Sequence, residues 1–213
     1  MTGEGQSLLA RLLMPGVAGH EMDDVGQPVS IATEEAALVS AAGEKRRRDF
    51  TLGRWCAHAA LAQLGGDDGV IGLSKSGAPL WPDGFCGSIT HTAGYAAAMV
   101  ARRAGFLGLG VDAERVGGVT QKLWPRLFDA DETALLAALS PDLQMRVATI
   151  LFSAKEACFK AWSPLGAAPQ SFRDIHVALR DDGFDAISAA GLLTGRFAVR
   201  DDLVLTAASI PAR

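Results

Sequence analysis

Two segments of helical periodicity, set among strand-like apolar runs, constrain the fold of this sequence more than any other feature. Over residues 44–64, apolar and small residues recur at three- and four-residue steps, and Gly65-Gly66 follows as a stop signal. Residues 141–162 have the same character, with Ser140 at the N-cap and Pro141 in the first turn. Because apolar strands are predicted between and after the two helices, the sequence predicts an α+β fold.

Short apolar runs predict the strands of this fold. Runs at residues 95–101 and 107–114 are predicted to form a hairpin, with its turn at residues 102–105. Later strands are predicted at residues 175–179 and 197–207.

The remaining segments are less regular. Residues 1–30 carry several glycines with little periodicity and predict an irregular or edge segment, whereas residues 72–87 predict an ordered, turn-rich loop. A further helix is predicted at residues 129–139. No internal sequence repeat is evident, and we expect a division near residue 105 into halves of residues 1–105 and 106–213.

Composition excludes several classes of protein. The 213-residue chain has a net charge of −4, so it lacks the excess of Lys and Arg typical of nucleic-acid-binding proteins. No apolar run reaches the ~20 residues of a membrane helix, and the amino terminus lacks the basic start of a signal peptide. Cys56, Cys86 and Cys158 have neither metal-ligand spacing nor an even-numbered disulfide framework. We expect a globular cytoplasmic protein without a nucleic-acid or membrane partner.

Asp112 and Glu114 form a candidate metal site. They lie two residues apart on a predicted strand, so both carboxylates point to one face of it. Hard oxygen ligands suit Mg²⁺, which commonly takes one or two carboxylates and fills its other positions with water and phosphate oxygens. An isolated Asp-x-Glu also fits a solvated strand end. The preceding apolar residues favour the metal, because unpaired carboxylates cost free energy to bury.

Basic and hydroxyl groups offer candidate phosphate contacts. Arg46 and Arg54 flank the stripe of the first long helix that contains Phe50, although a solvated basic face fits the same pattern. Thr90 and His91 place a hydroxyl beside an imidazole, which also suits a phosphate. A lone histidine is more often structural.

One face of the second long helix carries Phe152, Glu156 and Lys160 at four-residue steps. A Glu followed four residues later by Lys also fits an ordinary helix salt bridge, worth about 0.2 to 0.5 kcal/mol. Lys155 by itself fits a solvated lysine.

Four blocks stand in order along residues 45–177. They are Lys45-Arg46-Arg47-x-x-Phe50-x-x-Gly53-Arg54-x-Cys56-Ala57, Gly77-Ala78-Pro79-Leu80-Trp81-Pro82 with Gly87-Ser88-Ile89-Thr90-His91-Thr92, Gly110-Val111-Asp112-Ala113-Glu114, and Phe152-Ser153-Ala154-Lys155-Glu156-Ala157-Cys158-Phe159-Lys160-Ala161-Trp162. In this order they resemble the 4'-phosphopantetheinyl transferases, specifically the long, monomeric type that activates siderophore, nonribosomal-peptide and polyketide synthases.

The resemblance implies a fold of two similar α+β halves, related by a pseudo-twofold axis, with the active site and coenzyme A between them. It implies Mg²⁺ on the coenzyme A pyrophosphate, held by Asp112, Glu114 and Glu156. The other implied contacts to coenzyme A are made by Arg46, Arg54, Thr90, His91, Lys155 and Lys160.

The reaction implied by the resemblance moves phosphopantetheine to a serine of an apo carrier protein and releases adenosine 3',5'-bisphosphate. Glu156, alone or through a metal-bound water, is the candidate base, and Lys160 completes the catalytic pair at the pyrophosphate. Two alternatives remain open. One is a coenzyme A-binding, carrier-docking module that has lost transfer, and the other is an unrelated Mg²⁺ phosphohydrolase.

One loop departs from the family pattern. Members of the family often place a lysine or another charged residue just before the Gly-x-Pro block, and Lys75 is the candidate here for binding coenzyme A. Ala78 replaces the polar residue that is common between the glycine and the proline.

Overall fold

The computed structural model describes residues 7–66 and 69–212, which form two antiparallel sheets with a long helix on the outer face of each. The strands are β1 (Val17–Asp23), β2 (Gly72–Leu73), β3 (Pro79–Leu80), β4 (Phe85–Thr92), β5 (Tyr95–Arg102), β6 (Phe106–Arg115), β7 (His176–Leu179), β8 (Gly183–Ser188), β9 (Gly191–Arg200) and β10 (Leu203–Pro211). The helices are α1 (Thr33–Ala37), α2 (Glu44–Gln63), α3 (Trp124–Leu127), α4 (Ala130–Ala137) and α5 (Pro141–Trp162).

The two sheets share one pattern of strand pairing. The first has the order β1-β5-β4 and the second the order β6-β10-β9-β8-β7, while β2 and β3 form a separate small hairpin. In the first sheet β1 pairs with β5, and β5 pairs with β4. In the second sheet β6 pairs in the same way with β10, and β10 pairs with β9. This pattern confirms the predicted α+β fold with two similar parts.

Helix α2 covers the first sheet. It ends at the predicted position, where Gly65 has a positive φ and Gly66 N–H donates to Leu61 O while Gly65 N–H donates to Ala62 O. This is the Schellman pattern, which satisfies the last carbonyls of a helix. Ala96, Ala98 and Val100 of β5 pack against the buried face of the helix. The small side chains of β5 allow a close contact between helix and sheet.

Helix α5 covers the second sheet at a very short distance. A Cβ atom added at Gly110 of β6 would lie 1.8 Å from the carbonyl oxygen of Ala157, and one added at Gly108 would lie 2.2 Å from that of Ala161. Both approaches are closer than atoms can come without overlap, so β6 needs glycine at both positions. The glycines therefore bring the backbone of α5 against the strand that carries Asp112 and Glu114.

A shared core lies between the two sheets. The other face of β5, with Tyr95, Ala97 and Met99, packs into the same cluster as the odd-numbered residues of β6 and β10. The amino-terminal segment adds three buried leucines to this cluster, Leu8, Leu9 and Leu12. The Glu21 carboxylate of β1 accepts hydrogen bonds from Leu8 N–H and Leu9 N–H at 2.7 and 2.8 Å. The segment thus contributes to a core that belongs to both sheets.

The sheets also meet along one seam, between β4 and β6. Val111 N–H donates to Ser88 Oγ at 3.0 Å, and Ala113 N–H donates to Thr90 Oγ1 at 3.0 Å. The other edge of β6 pairs with β10. On this edge of β6, two side-chain hydroxyls of β4 therefore act as the hydrogen-bond acceptors, in place of the backbone carbonyls of a paired strand.

The predicted hairpin with its turn at residues 102–105 is wrong. Residues 95–101 and 107–114 do form strands, but β5 pairs with β1 on one edge and with β4 on the other. No edge of β5 is left for β6, which belongs to the second sheet. The turn at residues 102–105 therefore carries the chain from one sheet to the next.

Smaller differences concern single elements. The predicted strand at residues 197–207 is two strands, β9 and β10, because Asp201 adopts a left-handed conformation with φ 56° and turns the chain. Ser140 stands at the N-cap of α5 but its side chain makes no capping hydrogen bond. The predicted loop at residues 72–87 contains the β2–β3 hairpin. Within the described residues 1–30, β1 is an edge strand, as predicted. None of the described helices has the length and hydropathy to cross a membrane.

Candidate active site

Asp112 is the centre of the candidate site and is 4% exposed. Its Oδ1 accepts a hydrogen bond from Lys160 Nζ at 2.8 Å, and the hydroxyl of Thr90 lies 3.5 Å away. Its Oδ2 accepts a hydrogen bond from Ser153 Oγ at 2.9 Å. Thr90 belongs to the first sheet, whereas Lys160 and Ser153 belong to α5, so Asp112 lies where the two sheets and the second long helix meet.

The carboxylates of Glu114 and Glu156 lie close to Asp112 and accept no hydrogen bond from the described residues. Burial raises the pKa of Glu114 to about 7, and the negative charge of Asp112 acts in the same direction, as does that of Glu156. Burial also raises the pKa of Glu156, again with a contribution from Asp112. Lys160 opposes both shifts. The site therefore gathers negative charge that a single lysine does not neutralise.

This set of carboxylates fits a divalent cation. Three hard oxygen donors are the chemistry that Mg²⁺ prefers, and a cation among them would offset the negative charge that the three carboxylates bring together. The carboxylate oxygens of Asp112, Glu114 and Glu156 do not all lie within 4.8 Å of one another. Some side-chain rotation would therefore be needed for all three to ligate one ion.

A second cluster lies beside the first, between α2 and β4. Arg46 Nη1 lies 3.0 Å from His91 Nε2, and the Asp49 carboxylate lies 3.9 Å from His91 Nδ1. Burial lowers the pKa of His91, and the positive charges of Arg46, Lys160 and Lys45 lower it further against the opposing effect of Asp49. The influence of Lys160, which binds Asp112, indicates that the two clusters are neighbours. Three basic side chains, Arg46, Lys45 and Lys160, therefore act on His91 together with the single carboxylate of Asp49.

Arg54 lies deeper than its predicted role suggests. The residue is 3% exposed, with its Nη2 donating to Gly72 O at 3.0 Å and its guanidinium 4.6 Å from the ring centroid of Phe50. Its Nε has no hydrogen-bond partner among the described residues, and burial lowers the pKa of Arg54 to about 10. Arg54 thus joins α2 to the β2–β3 hairpin. Lys75 is exposed in the turn of that hairpin.

The structure does not bring Lys155 to the site, which corrects its predicted contact with the pyrophosphate. Lys155 is 0% exposed and forms an ion pair with Glu132 at 2.6 Å. Its Nζ also donates to Leu127 O and to Phe172 O, both at 2.9 Å. All three N–H groups are therefore used inside the protein. The reason is helical geometry, because Lys155 and Glu156 are adjacent and must point in different directions.

Glu132 belongs to the one group of metal-ligand type within 4.8 Å that the described part of the chain contains, together with Asp129 and His176. These side chains already have partners, because Asp129 contacts His176 and Glu132 accepts from Lys155 and from two backbone N–H groups. Asp129 and Glu132 form a capping box at the start of α4, and His176 Nδ1 lies 2.7 Å from Asp129 Oδ2. This group is a structural support for α4.

Three participants were not predicted from the sequence. Asp49 and Ser153 carry no local signal, since each stands among ordinary helical residues. Glu132 could be predicted as part of a capping box from its spacing to Asp129, but not as the partner of Lys155.

Two family models together match most of the chain. The model for the 4'-phosphopantetheinyl transferase N-terminal domain matches residues 34–101, and the model for the 4'-phosphopantetheinyl transferase superfamily matches residues 108–208. The chain belongs to the 4'-phosphopantetheinyl transferase superfamily. The membership predicted from the four blocks is thereby confirmed, and with it an enzyme of this kind.

Two named relatives agree with this membership. The chain is 35% identical over 184 residues to the 4'-phosphopantetheinyl transferase Npt of Nocardia iowensis, covering 86% of this chain and 82% of that protein. It is 37% identical over 215 residues to the 4'-phosphopantetheinyl transferase Svp of Streptomyces mobaraensis, covering 92% and 86% respectively. A crystal structure of the holo-[acyl-carrier-protein] synthase of Thermotoga maritima aligns with 51% of this chain and 65% of its own length, at 21% identity and a TM-score of 0.42.

Proposed function

We propose that this superfamily member transfers the 4'-phosphopantetheine arm of coenzyme A to a serine of an apo carrier protein, releasing adenosine 3',5'-bisphosphate. The observation that carries the proposal is that the Arg46 guanidinium and His91, 3.0 Å apart, lie beside the carboxylate cluster around Asp112, with Lys160 acting on both. A diphosphate with a nucleotide at one end needs both kinds of site side by side.

Each half of the chain contributes part of this site. We propose that residues 1–105 bind the nucleotide phosphates through Arg46, Thr90 and His91, with Arg54 and Lys75 supporting the same end. Residues 106–213 supply the metal ligands and Lys160. The seam between β4 and β6 joins the two contributions, because Thr90 contacts both Ala113 N–H and the Asp112 carboxylate.

Asp112, Glu114 and Glu156 would hold Mg²⁺, whose charge would offset the negative charge that develops on the pyrophosphate as its bond breaks. Lys160 already lies at the edge of this group, where Val111 O and Asp112 Oδ1 accept two of its three N–H bonds. The third can reach a phosphate oxygen. The Glu156 carboxylate accepts no hydrogen bond from the described residues and is the candidate base for the carrier serine.

We further propose that the enzyme is monomeric and cytoplasmic, with coenzyme A and a carrier protein as its partners and no nucleic acid. The acidic balance of the chain, net charge −4, favours a local docking surface over attraction by the whole protein.

Intact-mass spectrometry of an apo carrier protein tests the proposed function. The carrier is incubated with the enzyme, coenzyme A and Mg²⁺, and we expect a gain of about 340 Da on its serine, as covalent transfer requires. A carrier with that serine replaced by alanine is the control. No mass gain on peptide-, polyketide- and fatty-acid-type carriers would contradict the proposal, and hydrolysis of coenzyme A without a carrier would favour a phosphohydrolase.

A further inference from the structure

Two buried hydroxyl groups lie behind Asp112, on the side away from the seam. Ser153 Oγ donates to Asp112 Oδ2 at 2.9 Å, and Thr206 Oγ1 lies 2.9 Å from Ser153 Oγ. Both residues are 0% exposed. Thr206 stands directly opposite Asp112 in the β6–β10 pairing, so the three side chains form a row from β10 through α5 to β6.

The hydrogen atoms of this row can be counted. Ser153 and Thr206 have one hydroxyl hydrogen each, while the structure offers three short contacts, including Thr206 Oγ1 to Ser153 O at 2.8 Å. The charged carboxylate is the strongest acceptor, so the Ser153 hydrogen goes to Asp112. The hydrogen of Thr206 then points to Ser153, to its hydroxyl or its carbonyl oxygen. Either choice leaves Ser153 facing Asp112.

Another hydroxyl of α5 behaves differently. Thr149, one turn earlier and equally buried, lies 2.8 Å from Met145 O, the carbonyl four residues before it. This local bond is the usual one for Ser and Thr inside a helix. Ser153 instead directs its hydrogen out of its own helix to a carboxylate on another element. Helix formation therefore does not explain the orientation of its side chain.

We propose that Ser153, oriented by Thr206, is a positioning residue that fixes the Asp112 carboxylate by holding Oδ2 from behind, while Oδ1 lies with Lys160 and Thr90 on the side of the site. This inference rests on the proposed function, because it takes Asp112 as a metal ligand. Groups that hydrogen-bond a ligating carboxylate set its direction, and their loss typically costs 10- to 100-fold in metal affinity or activity. Without Ser153 the carboxylate would keep only the contacts of Oδ1 with Lys160 and Thr90 and would lose the one that fixes Oδ2.

Binding of Mn²⁺, measured from the electron paramagnetic resonance signal of the free ion, tests the inference without turnover. The protein is titrated in the presence of coenzyme A and without a carrier. We expect Ser153→Ala to weaken Mn²⁺ binding about 10- to 100-fold. Thr206→Val should weaken it less, because it removes the orienting hydroxyl and leaves the bond to Asp112. Thr149→Val is the matched control and should bind Mn²⁺ as the unaltered protein does.

The outcomes separate this inference from the proposed function. Mn²⁺ binding by Ser153→Ala within twofold of the unaltered protein overturns the positioning role and leaves the transferase proposal intact. An equal loss in Thr149→Val overturns it too, because any lost hydroxyl of α5 would then have the same effect. Failure of the unaltered protein to bind Mn²⁺ removes both the metal site and the positioning role. If Ser153→Ala does not fold, Thr206→Val decides, and unchanged binding in that variant overturns the inference.

Discussion

The two halves of the chain share one arrangement, a buried glutamate paired with a side chain of the long helix, but the partner of the glutamate differs. Each has a fully buried glutamate on a short helix, Glu35 on α1 and Glu132 on α4. Glu35 pairs with His58 of α2 at 2.9 Å, and Glu132 pairs with Lys155 of α5 at 2.6 Å. The partner in the first half can be neutral, whereas the lysine gives the second half a pair of opposite charges.

Both glutamates also hold the segment that follows the long helix. Glu35 accepts a hydrogen bond from Ile71 N–H at 2.8 Å, just before β2, and Glu132 accepts one from Val177 N–H at 2.9 Å, in β7. In the second half Lys155 adds further contacts, because its ammonium group also donates hydrogen bonds to two backbone carbonyls. The half that carries the proposed metal ligands is therefore fixed by more, and more strongly charged, contacts than the half that we propose to bind the nucleotide.

The largest effect is expected at the ion pair of the second half. Glu132→Gln leaves the Lys155 ammonium buried without its counter-charge, so we expect the free energy of unfolding to fall by about 3 to 5 kcal/mol. Urea unfolding followed by circular dichroism measures it. The double variant Glu132→Gln with Lys155→Met is the control and should recover part of the loss, since it buries no charge and keeps an amide oxygen that can accept from Val177 N–H. A loss below about 1 kcal/mol in Glu132→Gln would mean that the pair is not a main support of α4 and α5.

Removal of a proposed metal ligand should affect activity and leave the fold intact. We expect Asp112→Ala and Glu156→Ala each to lower transfer more than 100-fold, equivalent to about 2.7 kcal/mol in the barrier, because each removes charge that stabilises the transition state. Rates of carrier modification by mass spectrometry measure this. Asp182→Ala, an exposed carboxylate of the same half paired with Arg196, is the control and should keep full activity. Retention of more than about a tenth of the activity would refute the assigned role.

The corresponding change in the first half should cost less stability. Glu35→Gln keeps a group that can accept from Ile71 N–H and leaves a histidine that can be neutral, so we expect a loss of about 1 to 3 kcal/mol. The same urea experiment measures it. If Glu35→Gln lowered the free energy of unfolding as much as Glu132→Gln, the two buried glutamates would be equivalent and the contrast between the halves would disappear.

Nucleotide binding should depend on the first half. We expect Arg54→Ala to weaken coenzyme A about 10-fold more, or about 1.4 kcal/mol, than it weakens dephospho-coenzyme A, which lacks the 3'-phosphate. His91→Ala should behave likewise, and isothermal titration measures both. Arg48→Ala is the matched control on the same helix, because Arg48 is occupied by Asp24 at 2.6 Å. Equal losses for the two ligands would assign Arg54 to another part of coenzyme A or to support of the β2–β3 hairpin.

The smallest effect is expected in the pH dependence of stability, through His91 of the same cluster. The pKa of His91 is lowered in the folded protein, chiefly by burial, so the unfolded chain binds a proton more readily. The contribution of His91 to the free energy of unfolding is therefore fully present above the ordinary histidine pKa. It is lost as the pH falls through that pKa towards the lower pKa that His91 has in the folded protein. Urea midpoints between pH 8 and pH 5 should fall more in the unaltered protein than in His91→Gln. Parallel curves for the two proteins would contradict the shift.

Local signals predicted the helices and the carboxylate pair well. Periodicity and the terminal Gly65-Gly66 fixed the extent of α2, and Pro141 fixed the start of α5. Alternation along a strand placed Asp112 and Glu114 on one face, and burial of Val111 and Ala113 in the shared core confirms that alternation. These features depend on neighbours within a few residues.

Features that depend on distant residues were predicted poorly. The sequence around residues 102–105 predicts a turn, and this turn fits a hairpin as well as a passage between sheets. The strands that pair with β5 decide between the two. Lys155 and Glu156 are adjacent and both polar, yet one is buried against Glu132 and the other faces Asp112. Glu132 is 23 residues from Lys155 in sequence, so no local pattern could reveal the pair. The assignment of residues to metal and phosphate stays a prediction.

The seam between β4 and β6 has a consequence for solubility. Unpaired strand edges are templates for aggregation, and sheets need some means to cover them. Here β4 and β6 face each other, and the hydroxyls of Ser88 and Thr90 satisfy the N–H groups of Val111 and Ala113. Separation of the two halves would expose both edges at once, each beside the apolar residues of the shared core. Either half alone is therefore expected to associate with other chains, even though each has its own long helix and sheet.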